Sequence, residues 1–115
     1  MLSNAQRVFT LPEIQELGIE KYFEDISLSS DFGAMKPDDT FYQQLLERNH
    51  INPGKTIMIG NDAMCDIMAA RQAGLHTCYV HSDISPADDD ARDIKADIVV
   101  DPIDIKELCN RILEN

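Results

Sequence analysis

The second half of this chain alternates short apolar runs with helix-length stretches, and that alternation limits the fold more than any other feature. Residues 56–59 form a brief run, Thr56-Ile57-Met58-Ile59, that Gly60 stops at once. Residues 77–80 and 96–100 are two further runs of this kind. Apolar runs this short, bounded by turn residues, suit strands buried on both faces of a parallel sheet. Between them, Met64, Ile67, Met68 and residues 70–73 read as a helix closed by Gly74. Ile105, Leu108, Cys109, Ile112 and Leu113 recur at helical spacing and predict a terminal helix. Strands alternating with helices imply right-handed crossovers. The predicted class is therefore α/β, a Rossmann-like parallel sheet with helices on both faces, in a single domain over residues 1–115.

The first half fits the same plan. Thr10-Leu11-Pro12-Glu13 has the form of a capping box, which predicts a helix from Thr10 that ends by Gly18. Residues 26–30 alternate apolar and small polar side chains as a strand does, and Asp31-Phe32-Gly33 reads as a turn. Phe41, Tyr42, Leu45 and Leu46 mark one face of a helix over residues 38–49. Residues 83–95, with the acidic run Asp88-Asp89-Asp90, read as a solvated loop. The start is unusual. A sheet of this type begins with an apolar strand, yet only Met1-Leu2 precede the polar Ser3-Asn4, so the chain reads as one that enters mid-fold.

Charge narrows the function classes. With 21 acidic against 10 basic side chains the formal net charge is -11, so polyanions and anionic membrane surfaces repel the chain. No apolar run approaches the ~20 residues of a membrane span, and residues 1–7 show no signal or transit peptide. The hydrophobic share of 43% is enough for a core and excludes a disordered acidic tail. Cys65, Cys78 and Cys109 are odd in number and lack metal-ligand spacing, which predicts buried free thiols in a cytoplasmic protein. Met58, Met64 and Met68 read as core filling, and His50, His76 and His81 receive no role.

Ligands of open α/β sheets bind beyond the carboxyl ends of the strands, so polar residues that directly follow apolar runs are the candidates. Gly60-Asn61-Asp62 follow residues 56–59, and Asp66 lies four positions on, which puts two carboxylates on one side of a first helical turn. Hard oxygens of this kind suit Mg²⁺. The same spacing also suits plain helix capping by Asp62 with Asp66 against the helix dipole. Lys36, fixed beside Pro37 after the Gly33-Ala34-Met35 turn, is a point charge able to hold a phosphate or balance carboxylates, though most lysines are solvated surface charges. Ser3 and Asn4 are a hydroxyl and an amide at a strand end, and a terminal pair of this kind is also what a frayed chain looks like.

Taken in order, these segments resemble the haloacid dehalogenase (HAD) superfamily of hydrolases over nearly the whole chain. Leu2-Ser3-Asn4 is similar to its second motif, Lys36-Pro37-Asp38 to its third, and Ile59-Gly60-Asn61-Asp62 with Asp66 to its acidic fourth. Ala69-Ala70 with Ala73-Gly74 continues the similarity into the next helix. The resemblance implies hydrolysis of a small phosphomonoester with Mg²⁺ through a phosphoaspartate. Ser3 and Lys36 would be catalytic, Ser3, Asn4 and Lys36 would bind phosphate, and Asp62, Asp66 and Asn61 would hold the metal. Many relatives read Gly-Asp where this chain reads Gly-Asn-Asp, and the charge of Asp62 favours it over Asn61 as the ligand.

The family's first motif, an Asp-x-Asp that carries the nucleophile, is absent, and Asp101 has the wrong spacing and place to replace it. The chain thus resembles the C-terminal part of a HAD core, and alone it is expected to be inactive and to bind Mg²⁺ weakly. Only 33 positions separate Ser3 from Lys36, so any cap domain would lie in the missing N-terminal segment. An exposed sheet edge there predicts a homodimer or a marginally stable monomer, with a second copy or the N-terminal segment as partner. Two other readings compete. One is a noncatalytic truncated homologue acting as a binding or signalling module. The other is a receiver domain, whose acidic pair precedes its Lys-Pro; here Lys36-Pro37 come before Asp62, which is the reverse order.

Overall fold

The computed structural model describes residues 1–114. Strand β1 (Leu2–Ser3) leads to helix α1 (Arg7–Glu16), strand β2 (Ser27–Leu28) and the short helix α2 (Ser29–Phe32). Helix α3 (Asp39–Arg48) precedes strand β3 (Ile57–Gly60), a π-helical segment (Ala63–Met68) and its continuation α4 (Ala69–Gln72). Strands β4 (His76–Val80) and β5 (Ile98–Val100) and helix α5 (Ile105–Glu114) complete the order. All the pairings are parallel, in an α/β arrangement, but they form two sheets. β1 pairs with β2, while β3, β4 and β5 lie side by side in chain order.

Two apolar clusters occupy opposite faces of β3, as the alternation of side chains along a strand requires. Met58 packs with Leu2 against Tyr42 and Leu46 of α3 and Ala69 and Ala70 of α4. Ile57, its neighbour, packs on the other face with Cys78, Val80, Ile98 and Val100, under Leu108 and Ile112 of α5. Helices therefore cover both faces of the three-stranded sheet. Two of the expected core methionines are not core: Met64 and Met68 are 56% and 50% exposed, because they lie on the outer side of their helix. Of the three thiols, which are all free, only Cys78 is buried; Cys65 is half-buried and Cys109 faces solvent from α5.

Helix α1 starts at Arg7, three residues before the expected Thr10 cap, and so holds Pro12 inside it. The cap comes from across the sheet. Ser29 Oγ accepts from Ala5 N–H at 3.0 Å and Ser30 Oγ from Arg7 N–H at 3.0 Å. The same bonds explain why the strand expected over residues 26–30 stops at Leu28: both serines turn into α2 to face α1. Arg7 adds a forked pair to Asp31, at 2.9 and 2.6 Å. Helix α1 ends where expected, with Gly18 at φ 68° and Ile19 N–H returning to Ile14 O at 3.3 Å. Asp38 caps α3 by accepting from Thr40 N–H at 2.8 Å.

Between β1 and β3 runs an apolar groove of about 610 Å³, lined by Leu2 on one side and by Ile57, Met58, Ile59 and Leu75 on the other. Ile59 is 42% exposed, a high value for an isoleucine inside a strand. No described helix is long and apolar enough to cross a membrane.

Candidate active site

The carboxyl end of β3 and the turn before α3 meet at one corner, and Gly60 makes the meeting possible. A Cβ at Gly60 would collide with the side chain of Asp66, so no other residue fits there without movement. Asp66 is buried, and its two oxygens are both engaged. Oδ1 accepts from Lys36 Nζ, and Oδ2 accepts from Asp62 N–H at 3.2 Å. The Lys36 and Asp66 side chains are only 12% and 6% exposed, which places this among buried ion pairs rather than solvated ones.

Lys36 is held from behind by its own backbone. Asn4 Nδ2 donates to Lys36 O at 2.9 Å, and Lys36 N–H donates to Asn4 Oδ1 at 2.7 Å. This reciprocal amide pair clips the Lys36 peptide to the end of β1. Ser3, paired in register with Leu28, is the residue just before the clip. Three segments far apart in sequence thus converge through Asn4, Lys36 and Asp66. The Asn4 amide, expected on phosphate, gives one N–H and one lone pair to the Lys36 peptide.

Asp62 behaves as a cap. Oδ1 accepts from Met64 N–H at 3.0 Å and Cys65 N–H at 2.9 Å, while Asp62 O receives both Asp66 N–H and Ile67 N–H, at 3.0 and 3.2 Å. That wide opening turn is the start of the π segment, a geometry that recurs at functional sites. It carries Asp66 back beneath Gly60. Tyr42 fixes the far side, donating its hydroxyl to Cys65 O at 2.8 Å. Burial, and secondarily Asp66, raises the Tyr42 pKa, so it stays a donor. Burial also raises the Cys65 thiol, with Asp62 adding to the effect.

The donors near a cation site at this corner are the hard oxygens of Asn61 and Asp62, while both Asp66 oxygens already accept from Lys36 and the Asp62 amide. Their chemistry fits Mg²⁺, which takes few carboxylates and keeps water. Their number is small: among the described residues no group of three or more His, Cys, Asp or Glu side chains is arranged to hold a metal.

The family model described as haloacid dehalogenase-like hydrolase matches residues 1–80, more than half of the chain. The chain belongs to that family. A glyceraldehyde 3-phosphate phosphatase of Methanothermobacter thermautotrophicus is 28% identical over 90 residues, which is 78% of this chain and 40% of that protein. A phosphoglycolate phosphatase of Vibrio vulnificus is 32% identical over 74 residues, 64% of this chain and 32% of the relative. Among solved structures, the HAD-hydrolase YfnB of Bacillus subtilis bound to magnesium superposes with a TM-score of 0.82 at 24% identity. That superposition covers 96% of this chain and 47% of YfnB, and it shows the shared fold. The chain spans less than half the length of these relatives. Both of the named sequence relatives are phosphatases.

Sequence reading missed two features of this corner. The clip between Asn4 and Lys36 joins residues 32 positions apart, and no local pattern announces it. The acidic loop, read as solvated, returns to the site: Asp89 Oδ2 accepts from Ala63 N–H at 2.9 Å. The charge run that marks a solvated loop does not show that one member folds back.

Proposed function

We propose that this chain is the part of a HAD-type phosphatase that holds the phosphate and the metal, and that a segment outside these 115 residues brings the nucleophilic carboxylate. The convergence of Asn4, Lys36 and Asp66 at the carboxyl ends of β1 and β3 carries the reading. In this scheme Ser3 and Lys36 hold oxygens of the transferring phosphoryl group, and Asn4 acts by fixing the Lys36 peptide. Asp66 sets the direction of the Lys36 ammonium. Asp62 and Asn61 would hold Mg²⁺, with Asp66 next to them tied to Lys36, and the metal when bound would neutralise charge on the phosphoryl oxygens. Preorganised charge of this type is the main requirement of phosphoryl transfer.

The substrate class is a small phosphomonoester, as the phosphatase relatives suggest. The groove between β1 and β3 supports the companion proposal that an extended segment, from an upstream stretch or a second copy of the chain, lies between the two sheets. The metal is the accessible test. Titration of Mg²⁺ into the chain should give weak binding, roughly millimolar or poorer, because a site with few carboxylates holds this cation loosely. Asp62→Ala should abolish it. Low-micromolar binding, or binding that Asp62→Ala leaves intact, would overturn the metal assignment.

A further inference from the structure

The loop after β4 is tied to the candidate site by bonds that its acidic composition does not explain. Tyr79 of β4 is fully buried, and its hydroxyl lies 2.9 Å from His81 Nδ1 and 3.3 Å from Asp89 Oδ2. The same Asp89 oxygen accepts from Ala63 N–H, and Asn61 Nδ2 donates to Ser82 Oγ at 3.3 Å. Four successive N–H groups at the start of the π segment are therefore satisfied by three carboxylates. Asp66 takes that of Asp62, Asp89 that of Ala63, and Asp62 those of Met64 and Cys65.

Asp89 supplies what the local turn cannot. Asp62 reaches the second and third N–H groups of the segment but not the first, so Ala63 needs an acceptor from elsewhere. A carboxylate is the strongest choice beside a helix start. We propose that Asp89 is a positioning residue: it fixes the Asn61-Asp62-Ala63 turn and so the direction of the oxygens offered to the metal. The buried Tyr79 hydroxyl holds Asp89 in place. The functional half of this assignment rests on the reading that Asn61 and Asp62 face Mg²⁺.

The test uses the full chain, isotope-labelled, with Asp89→Ala and Asp89→Asn. Two quantities are read: hydrogen exchange at the Ala63 amide, and the half-saturation of Mg²⁺-induced amide shifts at Asn61 and Asp62. Asp89→Ala should speed Ala63 exchange about tenfold, the loss of one charge-assisted bond, with β4 amides unchanged. It should also weaken Mg²⁺ several-fold. Asp89→Asn keeps an acceptor oxygen without the charge and should fall between wild type and Asp89→Ala in both readouts, which a purely electrostatic role would not allow. Unchanged exchange at Ala63 in Asp89→Ala, or an Asn variant as impaired as the Ala variant, would overturn the proposal. If the Ala variant does not fold, Tyr79→Phe should give a smaller acceleration at Ala63, and no acceleration would count against it. Absence of any Mg²⁺ shift in the wild type would strike the metal reading, while the exchange comparison would still decide whether Asp89 holds the turn.

Discussion

The corner at Gly60 and the groove beside Ile59 are one residue apart on β3, yet they are built in opposite ways. At the corner, polar groups from three segments pair with one another: Asn4 with the Lys36 peptide, Lys36 with Asp66, Asp66 with the Asp62 amide. In the groove, Leu2, Ile57 and Ile59 line an open channel of about 610 Å³. Buried charge requires a partner inside the molecule, whereas an apolar strand edge can leave its partner to another segment. The difference locates what is fixed and what is open. The polar corner is organised by the chain's own contacts, and the apolar groove next to it is open.

The comparison predicts a steep gradient of mutational cost. The largest effect belongs to Lys36→Met, which leaves Asp66 buried without its cation and should destabilise by about 3 kcal/mol or more. Adding Asp66→Asn should recover part of that loss, because the amide oxygen still accepts from Asp62 N–H while the unpaired charge is gone. Chemical denaturation of the three variants checks this, and a double variant no better than Lys36→Met would mean that the pair is not coupled. Gly60→Ala comes next, at about 2 kcal/mol, since the new Cβ forces the Asp66 side chain to move.

The groove should respond least. Ile59→Ser, at a half-open position, should change the stability of the monomer by under about 0.5 kcal/mol. Its effect should appear instead in association. Sedimentation over a range of concentrations should show self-association of the wild type that Ile59→Ser reduces. A concentration-independent monomer with a high, cooperative melting transition would mean that the edge needs no partner.

The parallel α/β class was legible because periodicity and short apolar runs report burial directly. Helix α3 matched its expected span because Asp38 caps it locally. Helix α1 did not, since Ser29 and Ser30 cap it from another element. The candidate residues Lys36, Asp62 and Asp66 were visible because their chemistry lies in residue type and short spacing. The π turn was not: over six residues it leaves the same pattern as an α-helix. Asp89 was hidden for a related reason, because the backbone path that brings it to Ala63 has no periodic signature. Spacing alone left Asp62 between capping and metal binding. The structure shows the cap, and a cap oxygen at a strand's carboxyl end is compatible with a second role.

In the proposed scheme this corner holds phosphate and metal but does not attack. Steady-state turnover of an aryl phosphate by the purified chain, with and without Mg²⁺, tests it most directly. No metal-dependent turnover by the chain alone is expected, because the proposed nucleophile lies outside these residues. Steady Mg²⁺-dependent turnover by pure protein, abolished by Asp62→Ala, would contradict it and would show that the attacking group is already present in these residues.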